Sequence, residues 1–204
     1  RYAERMTAPW LDQARYADTC GIHMDAGRQM WLWRDWVLEA YKSNMPFDRF
    51  VTEQLAGDLI PNATDAQKIA SGFNRNHVTT DEGGAIAEEY LVEYAAERTA
   101  TTGSVLLGLT LGCARCHDHK FDPITMDDFY SLFAFYDSIE EPGLYSQEPN
   151  PQRAFEPFMT VMTRRRCRRP QTTCCKKVFK YHRVETGGVA KSAAANRDEA
   201  ACLI

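Results

Sequence analysis

The sequence has no long hydrophobic run, and this absence excludes a membrane-spanning protein segment. No apolar stretch in the 204 residues approaches the roughly 18 residues of a transmembrane helix. The alternating pattern of half-buried strands and any internal repeat are also missing. The chain starts at Arg1 without an initiator methionine or a visible signal peptide, so we expect an internal fragment whose export signal lies upstream.

Cysteine is scarce in the first 160 residues, which contain three of the seven. Two of these three, Cys113 and Cys116, precede His117 in the order Cys-x-x-Cys-His. This spacing attaches haem covalently in c-type cytochromes, because two thiols three positions apart can each add to a vinyl group of the porphyrin. The histidine that follows can supply an axial nitrogen to the iron. The sequence therefore predicts covalent haem c, with thioethers at Cys113 and Cys116 and His117 as the proximal ligand.

Two other chemistries fit the same short motif. Zinc would use Cys113, Cys116 and either His117 or His119. A structural zinc site usually has a second ligand pair at similar spacing, and Cys20 is the only other cysteine in this part of the chain. A disulfide or an inert pair of thiols is the third interpretation. The motif favours haem and leaves zinc and a disulfide clip as alternatives.

A second axial ligand would have to come from a distant part of the chain. His119 follows His117 by two residues and cannot reach the opposite face of the same haem. The candidates are histidines and methionines elsewhere: His23, Met24, Met45, His77 and Met126. We favour His77 because it follows a polar stretch that reads as a loop, where ligands are readily presented. An open sixth position is the alternative and would allow small ligands or peroxide to bind.

Acidic side chains concentrate between residues 81 and 97. Glu89, Glu93 and Glu97 recur at intervals of four and would place like charges along one helix face. Arg75, Arg98 or a bound calcium ion could compensate them, although a solvated acidic face is the simpler interpretation. If the protein is instead an extracellular enzyme, either a haem oxidase or peroxidase or a polymer-degrading hydrolase, this acidic segment beside His77 is its predicted site.

Arginines near the N-terminus have two interpretations as well. Arg15 and Arg34 lie among tryptophans and aliphatic residues in the first two predicted helices. They could form ion pairs that fasten these helices together. Alternatively, either guanidinium could bind a haem propionate, because its planar fork matches a carboxylate.

Hydrophobic periodicity predicts an all-α domain of five to six helices over residues 1–160, with the Cys-x-x-Cys-His motif in a loop after the longest helix. Two capping boxes, Thr64-x-x-Gln67 and Thr125-x-x-Asp128, mark helix starts. The predicted helices are the N-terminal segment to about residue 18, residues 28–42, a helix after Pro46, a short helix after Thr64, residues 85–107 and a helix after Thr125.

The last 45 residues differ sharply in composition from the rest. From residue 160 onward there are eleven Lys and Arg residues against three Asp and Glu residues, although the whole chain has a net charge of −4. No helical or strand periodicity is apparent in this segment. We therefore predict that residues 161–204 form a disordered basic tail, truncated or translated out of frame, rather than a second domain or a nucleic-acid-binding arm.

Several blocks of sequence together resemble a known family. The blocks are WLDQARYAD at 10–18, RDWV at 34–37, PFDRF at 46–50, EQLAGDL at 53–59, NRNH at 74–77, EGG at 82–84 and LTLGCARCHDHKFDP at 109–123. In order and spacing they are similar to the conserved central domain, of unknown function, of secreted cytochrome c-like multidomain proteins from planctomycetes and related bacteria. The resemblance covers roughly residues 1–160 and ends near Met162.

The resemblance implies an exported protein with further domains on either side. Members of this family commonly carry an upstream cytochrome c-type domain and a conserved downstream domain, so the expected partner is a redox domain or protein. Periplasmic or extracellular location also follows from the haem interpretation, since covalent attachment takes place outside the bacterial inner membrane. We expect no nucleic acid partner, and the sequence leaves the oligomeric state open.

Overall fold

A computed structural model gives the fold and describes residues 1–23 and 25–145. Over these residues the protein contains six α-helices and no β-strand, which confirms the all-α prediction. The helices are α1 (Tyr2–Gln13), α2 (Trp31–Lys42), α3 (Phe47–Ala56), α4 (Asp65–Ala70), α5 (Ala87–Thr102) and α6 (Met126–Asp137). The predicted tail 161–204 and its boundary at residue 160 lie outside the described residues.

The first four helices enclose an aromatic core. Trp33 of α2 is completely buried, and Phe50 of α3 stacks on Trp36 with ring centroids 5.6 Å apart. Trp10 of α1 meets the same phenylalanine edge-on at 5.0 Å, and its indole N–H donates to Gln54 at 3.0 Å. Each buried aromatic side chain contributes on the order of 2–3 kcal/mol through burial. This core fixes the N-terminal half of the described chain.

Helices α5 and α6 pack against each other and carry the Cys-x-x-Cys-His segment between them. The helix predicted after Thr125 is present as α6, and it buries Phe129, Phe133 and Tyr136 on one side. A hydrogen bond of 2.7 Å joins the Tyr136 hydroxyl to the Thr102 hydroxyl of α5. The two helices therefore give the segment between them a rigid base.

Both predicted capping boxes are present. The Thr64 side chain accepts from the Gln67 backbone N–H at the start of α4, while the Gln67 side chain accepts from the Thr64 backbone N–H. Thr125 and Asp128 make the same reciprocal pair at the start of α6. The hydrogen bonds to the Asp128 carboxylate lower its pKa.

Several predicted helix ends are wrong, each for a local reason. Helix α1 ends at Gln13 rather than near Asp18, because Arg15 adopts a left-handed φ of 60°. Helix α2 begins at Trp31 rather than residue 28, since the Arg28 side chain turns inward to bind backbone carbonyls. The helix predicted over 85–107 spans only 87–102 and continues as one wide π-turn to Leu107.

No helix within the described ranges is both long and apolar enough to cross a lipid bilayer.

Candidate functional site

The Cys-x-x-Cys-His motif begins inside a short 3₁₀-helix, Leu111–Arg115, rather than in a loop as predicted. This helix repeats every three residues, so Leu111 and Ala114 share its inner side and are buried. Cys113 lies within this helix and Cys116 is the residue that follows its end; both are exposed and carry free thiols. Both sulfur atoms are therefore accessible to solvent.

Arg115 ties the motif to both neighbouring helices. Its guanidinium forms a two-pronged ion pair with the Glu93 carboxylate of α5, with one Nη1–Oε2 distance of 2.8 Å. This hydrogen bond raises the pKa of Arg115. The Tyr130 hydroxyl of α6 donates to the Arg115 carbonyl at 3.0 Å, and burial raises the pKa of Tyr130 to about 12, so the phenol stays a donor. The motif is thus braced from two sides.

His117 is exposed, and a backbone contact favours one tautomer of its neutral ring. Its Nδ1 lies 2.8 Å from the backbone carbonyl oxygen of Asp118. A carbonyl oxygen can only accept, so Nδ1 carries the proton of the neutral ring and Nε2 has a free lone pair. A metal-ligating histidine uses the same arrangement, with one ring nitrogen donating to a backbone carbonyl while the other binds the metal. His117 is therefore prepared to bind a metal through Nε2.

The residues of the zinc alternative are not gathered into a site. Over residues 1–23 and 25–145 there is no group of three or more His, Cys, Asp or Glu side chains arranged to hold a metal ion. His119 is mostly buried, and both of its ring nitrogens make hydrogen bonds within the protein. Cys113, Cys116 and His117 are each exposed, while His119 faces inward.

His77 lies in a buried polar cluster and not on an exposed loop. Its side chain is 3% exposed, and its ring packs on Tyr94 with centroids 4.7 Å apart. Both ring nitrogens lie 3.2 Å from Nη2 of Arg98, and Nε2 lies 3.8 Å from the Glu141 carboxylate. The polar stretch around it is only partly a loop: Asn74 and Arg75 end a 3₁₀-helix, Ser71–Arg75, whereas Asn76 and His77 follow outside any helix.

Burial fixes the protonation state of His77. Desolvation and the nearby positive charges of Arg98, Arg28 and Arg75 lower the pKa of His77 well below its usual value. The ring is therefore neutral at physiological pH. A role as distal ligand stays a prediction, and it would require this packed ring to leave Tyr94 and Arg98.

The other proposed axial ligands are scattered. His23 is on the surface, with Nδ1 3.4 Å from the Asp81 carboxylate, and Met45 packs against the aromatic core. Met126 opens α6, and its backbone N–H donates to the Asp118 carboxylate next to His117. Met24 lies outside the described residues. Among these side chains, Met126 follows the motif most closely in sequence.

Two of the three glutamates on the acidic face of α5 pair with arginines, and these are not the arginines considered from the sequence. Glu93 pairs with Arg115, and Glu97 pairs with Arg15 at the end of α1. Arg98 turns to the opposite side and pairs with Glu141. Glutamates one turn apart therefore do not require a bound cation.

The predicted partners of the N-terminal arginines are also corrected. Arg15 reaches α5 rather than the second helix, and Arg34 pairs with its neighbour Asp35 at 2.8 Å. Neither contact fastens α1 to α2; hydrophobic packing of α1 against α2 does so instead. Binding of haem propionates by these arginines stays a prediction.

A cavity of about 410 Å³ lies between α5 and the motif helix. Its walls are largely apolar, and its size falls in the range of small-molecule sites. The lining includes Ile22, Val78, Tyr94, Gly112, Arg115 and Phe129. The cavity adjoins the motif through Gly112 and Arg115, whereas the exposed thiols and His117 do not line it.

Sequence reasoning missed several residues that organise these sites. Glu141 and Tyr94 belong to the His77 cluster, and Thr110 and Tyr130 support the motif. Glu141 is 43 residues from its partner Arg98, so no local pattern could reveal the pair. The Tyr94 position was recognised as buried by its helical spacing, but its hydroxyl contacts could not be inferred.

Comparison with known proteins gives one match. A family model described as PSCyt2, a protein of unknown function (DUF1549), matches residues 1–141. No curated protein matches the chain, and no solved structure matches it. The matched range contains the motif and both capping boxes.

Proposed function

The chain belongs to the PSCyt2 family of proteins of unknown function, and we propose that it is an exported c-type haem-binding domain that transfers electrons within a larger multidomain protein. One observation carries the proposal: two exposed free thiols, three residues apart, directly precede an exposed histidine whose Nδ1 lies against a backbone carbonyl oxygen. Thioether formation needs accessible thiols, and iron ligation needs an imidazole lone pair. The donor set fits haem c.

Each residue of the motif has a separate task. Cys113 and Cys116 can each form a thioether to one vinyl group, which fixes the position of the porphyrin relative to the helix. His117 would hold the haem iron through Nε2, and the Asp118 carbonyl favours the tautomer that leaves Nε2 free for this role. A bound haem would supply one-electron oxidation and reduction. The protein would tune this chemistry through the axial ligands and through burial.

The support around the motif favours electron transfer because it resists movement. Arg115 is joined to α5 by its ion pair with Glu93 and to α6 by the Tyr130 hydroxyl. A site held from two helices changes little between oxidation states, which reduces the reorganisation that electron transfer requires. The exposed outer side of the motif leaves room for a redox partner domain to approach.

Export is part of the same proposal. Attachment of haem to Cys-x-x-Cys-His needs reduced thiols and a maturation apparatus outside the bacterial inner membrane. The redox partner would then be another exported domain or protein.

A pyridine haemochrome spectrum tests the proposal. The full chain, fused to an export signal and produced with the cytochrome c maturation machinery, should retain haem after acid–acetone extraction, at close to one haem per chain. A Cys113→Ser/Cys116→Ser variant should lose all of it. Cys20→Ser is the matched control, because this cysteine lies apart from the motif and should not affect the yield. Absence of covalent haem from the folded wild-type protein would refute the proposal.

A further inference from the structure

The second histidine of the motif region, His119, has hydrogen bonds on both ring nitrogens. Nδ1 lies 2.9 Å from the backbone N–H of Asp122 and 3.3 Å from that of Phe121. Nε2 lies 2.9 Å from the Thr110 hydroxyl. The side chain is 7% exposed. His119 therefore connects the residue before the motif helix with the turn that follows the motif.

These contacts define the tautomer of His119. Two backbone N–H groups point at Nδ1, so Nδ1 must accept and carries no proton. The neutral ring then has its proton on Nε2 and donates to Thr110. The Asp122 carboxylate is also 3.3 Å from Nδ1, but it could pair only with a protonated nitrogen, which the two N–H donors oppose. His119 thus acts as a clamp, because each of its ring nitrogens makes a hydrogen bond to a different segment.

The clamp acts on the peptide unit that orients His117. The carbonyl of Asp118 accepts from His117 Nδ1, and the N–H of the same peptide belongs to His119 and donates to the Ile124 carbonyl at 2.8 Å. The turn that contains Ile124 is closed by the His119 side chain through Asp122. The direction of the Asp118 carbonyl therefore depends on the turn that His119 holds.

We propose that His119 is a positioning residue that keeps His117 in its Nδ1–H tautomer, with Nε2 available as a ligand. Its use in haem binding rests on the proposed function above, but the tautomer itself is a property of the haem-free protein. Free histidine in water prefers the opposite, Nε2–H form, so the protein must supply the bias. The fixed carbonyl of Asp118 supplies it.

The test is a two-bond ¹H–¹⁵N correlation spectrum of the histidine rings in the haem-free full chain at about pH 8, where imidazoles are neutral. Wild-type His117 should show the Nδ1–H pattern. In His119→Ala the ratio of Nδ1–H to Nε2–H at His117 should fall by about threefold to tenfold, the range that one hydrogen bond of ordinary net strength supports. His119→Asn keeps an acceptor at the place of Nδ1 and should restore most of the ratio.

His23→Gln is the matched control, because His23 is a surface histidine near Asp81 and its loss should leave His117 unchanged. A folded His119→Ala protein with the wild-type ratio would overturn the proposal. If that variant does not fold, Thr110→Val removes only the partner of Nε2. The clamp needs both ends, so an unchanged ratio there would overturn the proposal as well. A wild-type protein that shows the predicted tautomer but takes up no haem would refute the proposed function and leave this inference standing.

Discussion

Arg98 and Glu141 form a buried, two-pronged ion pair that links α5 to the chain beyond α6. Their atoms meet at 2.5 Å (Nη1–Oε1) and 2.7 Å (Nη2–Oε2), and the side chains are 3% and 5% exposed. The Tyr145 hydroxyl also lies 3.2 Å from the Glu141 carboxylate, and Arg98 Nε donates to the Asn74 carbonyl at 2.6 Å. The pair is the centre of the polar network around His77.

Glu141→Gln should destabilise the protein by about 3–5 kcal/mol, because it leaves the Arg98 guanidinium buried without a counter-charge. Urea unfolding followed by tryptophan fluorescence measures the change. Glu39→Gln is the control, since Glu39 makes an exposed pair with Lys42 at 3.6 Å and should cost less than about 0.5 kcal/mol. Equal losses of unfolding free energy in the two variants would show that the buried ion pair contributes no more to stability than the exposed one.

His77 should make folding pH-dependent on the acid side. Its pKa is lowered in the folded protein, so between that pKa and about 6.5 the unfolded chain binds a proton that the folded protein does not. Stability from this group is complete above about pH 6.5 and falls by about 1.4 kcal/mol per pH unit below it. His77→Gln should flatten this part of the stability profile, whereas His23→Gln should not. A profile with the same slope in wild type and His77→Gln would contradict the prediction.

Single cysteine substitutions should give distinguishable haem products. In Cys113→Ala or Cys116→Ala one thioether is lost and one vinyl group remains conjugated, so the pyridine haemochrome α-band should move to longer wavelength than in wild type. Substitution of the four cysteines after residue 160 together is the control and should leave the band in place. An unshifted band in both single variants would mean that the two cysteines do not form the thioethers.

Gly103→Ala should destabilise the protein by disturbing the packing of the motif helix against the end of α5. A methyl group at this position would overlap the Leu111 side chain, although the backbone φ of −60° suits any residue. The expected cost is about 1–3 kcal/mol. Gly83→Ala is the control because open space surrounds that position.

A double-mutant cycle tests whether the contact with Leu111 causes the loss of stability in Gly103→Ala. Leu111→Ala removes the side chain that the new methyl group would strike, so Gly103→Ala should cost much less in that background. Simple additivity of the two losses would exclude the contact with Leu111 as the source.

Structural features that depend on residues close together in the sequence were predicted correctly. Both capping boxes formed, because each needs only residues three positions apart. The helix predicted after Thr125 also formed, as α6. The early end of α1 was missed because it follows from the left-handed φ of 60° at Arg15, which non-glycine residues rarely adopt and which hydrophobic spacing does not indicate.

In the candidate site, too, local features could be predicted from the sequence and long-range contacts could not. The motif itself is contiguous, so Cys113, Cys116 and His117 could be selected from spacing alone. His77 was predicted to lie on an exposed loop, but it is buried against Arg98. A run of polar residues in the sequence looks the same whether it faces water or a buried arginine. Only the tertiary partner, here Arg98, separates the two cases.

The exposed thiols of Cys113 and Cys116 can be oxidised before haem is attached to them. Two solvent-accessible cysteines three residues apart are open to oxidation, either to a disulfide or through sulfenic acid to forms that cannot be recovered. Because both cysteines are exposed in the folded protein, folding does not protect their thiols. Haem attachment must therefore be faster than oxidation of the thiols. Protein prepared without a thiol reductant will contain chains that are correctly folded but whose oxidised cysteines cannot form thioethers.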